Sequence, residues 1–231
     1  MTTPASATAV LRSIDDLRGP AGRLEALLNG GPPDAPYAVL ACHPHPLGGG
    51  TMHNKVIYHA MKTFHGYGLP VLRFNFRGAG LSEGEHDDGR GERDDVRAAL
   101  EWLDREFRLP ILFVGFSFGA NVGLKACCGD PRVRGLVALG LPVHAEGRDY
   151  RYSFLPGCTQ PKLFVSGGED QYGPVLQVEA IVRTAAPPAE LAWVPGANHF
   201  FVGKLGEMQQ AIGVWIETHF GDLKARRSAE L

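Results

Sequence analysis

Short, almost unbroken apolar runs alternate along this chain with longer stretches whose apolar residues recur every three or four positions. YAVLACHP (37–44), PVLRFNFRG (70–78), PILFVGF (110–116), RVRGLVALG (132–140), KLFVSGG (162–168) and AELAWVPG (189–196) have the length and composition of buried strands. NKVIYHAMKTFHGYG (54–68), DDVRAALEWLDREF (94–107), the segment after Ser117, PVLQVEAIVRTA (174–185) and KLGEMQQAIGVWIETHF (204–220) carry the helical period. The helix over 94–107 opens on acidic residues, which complement its dipole. Two earlier strands, TAVLRSI (8–14) and GRLEALLNG (22–30), flank the turn DDLRGPA. The polar ends MTTPASAT and GDLKARRSAEL read as frayed. Two strands followed by regular strand–helix alternation predict an α/β domain, a mostly parallel sheet with helices on both faces. It is read as one domain over 1–231 with its core from about 10 to 220.

Composition narrows the picture. Hydrophobic residues make up 44% and charged residues 21% of 231, with a formal charge of −2 and no long block of one sign, which argues against nucleic acid as a partner. No apolar run reaches the length of a membrane span, and the N-terminus lacks the basic start and apolar centre of a secretion signal. The four cysteines, Cys42, Cys127, Cys128 and Cys158, show no C-x-x-C spacing. They are expected as buried free thiols in a reducing compartment, the cytoplasm.

In such sheets functional groups gather beyond the carboxyl ends of the strands. Those positions hold His43 and His45, then RGAG, Ser117, the pair Glu169 and Asp170, and His199. Ser117 lies in Gly-Phe-Ser-Phe-Gly between a strand and a helix, a sharp turn that exposes a hydroxyl and sets it before a helix N-terminus. Serine needs a general base and the base an orienting carboxylate. His199 fits the first role and Asp170 the second, in preference to the adjacent Glu169. His43, His45 and His53 raise a metal reading, but no cysteine or carboxylate shares their segment at ligand spacing, so they are read as fixing their loop, with no metal and no cofactor. Asn54 and Lys55 are expected to cap the following helix.

The blocks CHPHPLGGGTMHNKV, RFNFRGAGLSEG, GFSFG, GGEDQYGP and PGANHFF, in this order, resemble the small lidless, dienelactone-hydrolase-like α/β-hydrolases of bacteria. The resemblance implies an eight-stranded α/β-hydrolase sheet without a large lid, and a serine hydrolase with the triad Ser117, Asp170 and His199. Dienelactone hydrolases themselves carry cysteine where this chain has Ser117, so their substrate does not carry over. The oxyanion would be held by the backbone N–H of Phe118 and by a second donor in the loop after YAVLAC. Pro44 and Pro46 have no N–H, which leaves His45, favoured by the resemblance, or Leu47. Arg77 is expected to lock the loops around the site. His43, Phe116, Tyr150, Tyr152 and Phe200 are candidates for the substrate pocket, although Tyr150, Tyr152 and Phe154 fit a cover over the sheet equally well. The segment from Pro142 to Gln160 is too short for a cap domain, so the site is small and open. The expected activity is hydrolysis of small carboxylic esters, lactones or thioesters; the alternatives are an aminopeptidase-like serine hydrolase and a non-catalytic ligand-binding protein.

Overall fold

The computed structural model describes residues 11–145 and 147–229. The N-terminal tail and the first residues of the run 8–14 lie outside them. The strands are β1 (Leu11–Ile14), β2 (Arg18–Gly19), β3 (Gly22–Arg23), β4 (Ala26–Asn29), β5 (Ala38–Cys42), β6 (Val71–Phe74), β7 (Ile111–Phe116), β8 (Val133–Leu139), β9 (His144–Ala145), β10 (Arg148–Asp149), β11 (Lys162–Gly167) and β12 (Ala189–Val194). The helices are α1 (Lys55–His65), α2 (Arg90–Phe107), α3 (Phe118–Cys127), α4 (Val175–Arg183), α5 (Leu205–His219) and α6 (Gly221–Ala229). Eight strands form one sheet in the order β1-β4-β6-β5-β7-β8-β11-β12. β1 and β4 run antiparallel at one edge, and the pairs from β6 through β12 are parallel.

Helices cover both faces, so every residue of β5, β7 and β11 is buried and their sequences read as continuous apolar runs. Alternate side chains still face opposite layers. Phe113 belongs to the core layer that includes α2, α3 and α4, whereas Leu112 and Val114 belong to the layer that includes α1, α5 and α6. No helix among the described residues is long and apolar enough to cross a membrane.

Three expectations are corrected. α2 starts a turn before Asp94, at Arg90, because Gly89 adopts φ 83° and Glu92 accepts from the N–H groups of Gly89 (2.8 Å) and Asp87 (2.9 Å). The C-terminal segment is helical through Ala229, since Leu223 is buried against α5 and Arg226 reaches Asp34 at 2.7 Å. Cys128 and Cys158 form a disulfide, while Cys42 and Cys127 are free and buried. The bridge ties the end of α3 to the approach to β11, a contact across 30 residues that no local spacing signals. The inference of a reducing compartment from free thiols therefore loses its basis.

Candidate active site

Ser117 joins β7 to α3 with φ 54° and ψ −119°, a left-handed conformation that L-residues rarely hold. Its N–H donates to Leu139 O at 2.9 Å, which fixes the turn to β8. The flanking glycines are required by space: a Cβ on Gly115 would lie 2.6 Å from Gly119 O, and one on Gly119 would lie 2.3 Å from His43 O. The first turn of α3 therefore packs directly on the backbone after β5, bringing the serine to the loop that carries His45.

His199 follows β12, and Asp170 follows β11. Ser117 Oγ and His199 Nε2 are 2.9 Å apart, and His199 Nδ1 is 2.8 Å from Asp170 Oδ2. The other carboxylate oxygen, Oδ1, accepts from the N–H groups of Tyr172 (2.8 Å) and Gly173 (3.1 Å). Both oxygens are engaged, and the carboxylate orientation is fixed. Glu169 is exposed, so the choice between the two neighbouring acids is made by which one turns inward. The His199 ring lies between Phe116 (4.9 Å between ring centroids), Tyr172 (4.7 Å) and Phe200 (5.2 Å). Gly140, at φ 52°, backs the ring: a Cβ there would approach His199 Cε1 to 3.2 Å. Tyr172 and Gly140 are site residues that the sequence reading missed; the position of Tyr172 two residues after Asp170 was a usable signal.

The loop after β5 settles which N–H groups are available. The His45 ring accepts from Leu47 N–H through Nδ1 at 3.2 Å, so the Leu47 donor is occupied. Among the described residues, the N–H groups of His45 and Phe118 have no acceptor. The rings of these two residues pack 4.7 Å apart. Burial, followed by the charges of Arg148 and His86, holds His45 down at about 4, a neutral ring at neutral pH. Asn54 caps α1 by accepting from Val56 N–H at 2.9 Å. His53 is exposed, and no bond from its ring to the loop is found among the described residues.

The alpha/beta hydrolase domain family model matches residues 38–212. The chain belongs to this family. An uncharacterized protein of Rickettsia prowazekii is 36% identical over 208 residues, 87% of each chain. Among solved structures, an α/β serine hydrolase without lid from Xanthomonas campestris has a TM-score of 0.79 at 31% identity, covering 90% of this chain and 94% of the other. An α/β serine hydrolase homologue from Coxiella burnetii has a TM-score of 0.78 at 37% identity, covering 88% and 95%. The fold agrees: between β8 and β11 the described residues of this hydrolase form only a short β9–β10 hairpin and a 3-10 turn, Leu155–Gly157, with no cap among them.

Beside the serine of the hydrolase, a cleft of about 390 Å³ begins at His45 and Phe118 and is walled by Tyr150. Phe200 does not line this cleft; it is 46% exposed and packs next to His199. The other pocket candidates are corrected. Phe116 has no exposed surface and supports the imidazole from below. Tyr152 is buried and donates from its hydroxyl to Pro142 O at 2.7 Å, so it covers the sheet. His43 has no exposed surface either: Nδ1–H donates to Pro44 O at 2.6 Å, and Nε2 accepts from Phe76 N–H at 3.0 Å. It binds the loop after β5 to the loop after β6.

That arrangement accommodates only neutral His43, because a second ring proton would point at the Phe76 N–H. Burial pushes its pKa from 6.5 down to about 4, against the Pro44 bond. The unfolded chain thus takes up the proton more readily. The stabilisation is complete above pH 6.5 and is lost as pH falls toward 4. Between pH 7 and 5 this one group is expected to remove about 2 kcal/mol of stability. Urea unfolding at both pH values measures the loss, and His43→Gln should be less stable at pH 7 but lose less between the two. Equal losses in both proteins would refute the assignment.

Proposed function

We propose that this protein is a cofactor-independent serine hydrolase of small carboxylic esters, including thioesters. The observation that carries the reading is the unbroken hydrogen-bonded series from Ser117 through His199 to Asp170, built at a strained strand–helix turn. The solved relatives described as serine hydrolases support the same class.

In this reading Ser117 Oγ attacks the carbonyl carbon while His199 Nε2 takes its proton. Asp170 holds the imidazole as the Nδ1–H tautomer and stabilises the imidazolium. The carbonyl oxygen becomes an oxyanion and accepts from the N–H groups of Phe118 and His45, with the N-terminus of α3 behind it. The tetrahedral intermediate collapses and the leaving alcohol or thiol takes the proton from His199. Water then loses a proton to His199 and attacks the acyl carbon, and the acid leaves as Ser117 recovers its proton. The open cleft suits short acyl groups.

Fluorophosphonate labelling read by intact mass tests the proposal. The expected result is a single adduct, mapped by peptide mass to Ser117, and none on Ser117→Ala. A folded wild type that gains no adduct would overturn the reading and leave a ligand-binding protein in its place.

A further inference from the structure

The cleft beside Ser117 carries a charge pattern that hydrolysis of a neutral ester does not need. Away from His45 and Phe118 it passes between the first turn of α2, the middle of α3 and the β9–β10 hairpin. Arg90 and Arg93 line it from α2, Lys125 from α3 and Arg148 from β10, against Asp88 as the single acid among the described lining residues. Arg90 is shared with Asp87 at 2.8 Å, but Arg93 and Arg148 have no carboxylate partner among the described residues. On a chain with a net charge of −2, this is a local concentration of positive charge at the mouth of the site. The Arg148 charge also reaches the oxyanion loop, where after burial it is the largest influence lowering the His45 pKa.

Asn121 adds a second, independent sign. It lies one turn beyond Ser117, lines the same cleft and is only 4% exposed. Its Oδ1 accepts from Lys125 Nζ at 2.9 Å, whereas Nδ2 has no acceptor in hydrogen-bond geometry among the described residues. The Tyr152 hydroxyl is beside this amide and donates to Pro142 O; its oxygen keeps lone pairs but lies outside hydrogen-bond geometry to Nδ2. A buried donor without an acceptor is costly, and an anionic oxygen entering the cleft would relieve it.

Cations from separate elements together with a buried amide donor match a carboxylate or a phosphate, which accepts several charge-assisted bonds at once. We propose that the cleft is an anion subsite, and that the favoured esters or thioesters carry a carboxylate or phosphate held by Arg93, Arg148 and Asn121 beside the scissile carbonyl. The apolar part of the substrate then lies at the Phe200 and Tyr172 edge, where exposed rings flank His199. The substrate class rests on the serine-hydrolase reading; the anion subsite itself does not.

Two measurements test it. Glutarate and inorganic phosphate are titrated calorimetrically into Ser117→Ala, with and without Arg93→Gln and Arg148→Gln. At least one anion is expected to bind, and to weaken about tenfold when both arginines are replaced. Hydrolysis is compared within two matched pairs: mono-4-nitrophenyl glutarate against 4-nitrophenyl valerate, and acetyl-4′-phosphopantetheine against acetyl-pantetheine. In one pair kcat/KM is expected to favour the charged member about tenfold, with the preference collapsing in the double variant. A response in the glutarate pair puts the anion on the acyl side; a response in the phosphate pair puts it on the leaving group. No preference in either pair, or one that survives loss of both arginines, would overturn the substrate class. Absence of anion binding to Ser117→Ala would overturn the subsite. Anion binding in a protein that fluorophosphonate fails to label would instead refute the hydrolase reading and leave the subsite standing.

Discussion

Asp170→Asn is expected to lower kcat on a short ester on the order of 10⁴-fold while leaving the fold intact. The reason lies in which groups the side chain faces. Oδ1 accepts from two backbone N–H groups, Tyr172 and Gly173, so an asparagine must present its carbonyl oxygen there. Its NH₂ group then points at His199 Nδ1, where the aspartate had received a proton donor. The imidazole satisfies this new donor by accepting at Nδ1, which moves its own proton to Nε2. A ring protonated at Nε2 meets Ser117 Oγ with N–H and takes no proton from it. The turn survives because its backbone bonds survive, so circular dichroism and thermal unfolding should change little. Fluorophosphonate labelling should slow in parallel with turnover, since both use the same attack. Glu169→Gln is the control, because Glu169 is exposed and should leave kcat unchanged. A loss smaller than tenfold in Asp170→Asn would mean that the carboxylate does not set the tautomer.

Much of this arrangement was legible in the sequence, for identifiable reasons. A buried parallel strand is a continuous apolar run, so the strand ends could be located, and doubly wound sheets place their chemistry on the residues just past those ends. The Gly115-Phe-Ser-Phe-Gly119 spacing states a steric demand, and the close approach of Gly119 to His43 O is that demand made visible. A linear pattern does not encode side-chain direction within a run buried on both faces. Phe116 and His43 sit beside the site in sequence and point into the core, and only the opposing layers decide that. Nor does a linear pattern show that the Leu47 N–H is engaged by a ring capping its own loop while the His45 N–H is left without an acceptor among the described residues. The basic cleft was illegible for a different reason. Arg93, Lys125 and Arg148 each look like a solvated charge within their own segment, and their meaning arises when three elements converge. The first turn of α2 was hidden by glycines on both sides of Arg90, and one of these, Gly91, has a structural duty of its own.

That duty concerns Arg77, whose removal is the second large effect expected. A Cβ on Gly91 would lie 1.9 Å from Arg77 Nη1, so α2 leaves out a side chain to admit the guanidinium. Arg77 Nη2 meets Asp95 Oδ1 at 2.7 Å, Nε donates to the same carboxylate, and the Arg77 backbone N–H donates to Oδ2 at 3.1 Å. Asp95 has no exposed surface, and burial raises its pKa from the ordinary value despite these bonds, while the hydrogen bond to Asp95 raises that of Arg77. Removing one partner from such a pair leaves the other charge buried without compensation. Arg77→Ala is therefore expected to destabilise the protein by about 3–5 kcal/mol and to lower Tm by roughly 10 °C or more. Arg77→Met combined with Asp95→Leu should recover part of that loss but not all of it, because the Arg77 N–H then lacks its acceptor. The effect should also reach turnover. Phe76, one residue earlier, donates its N–H to the His43 ring, which holds the loop carrying His45. A loosened Arg77 segment therefore relaxes that loop, and on the proposed mechanism, in which the His45 N–H acts on the transition state, kcat is expected to fall while KM changes less. A Tm within about 3 °C of the wild type in Arg77→Ala would show that the pair is solvated and that the loops owe their order to packing alone.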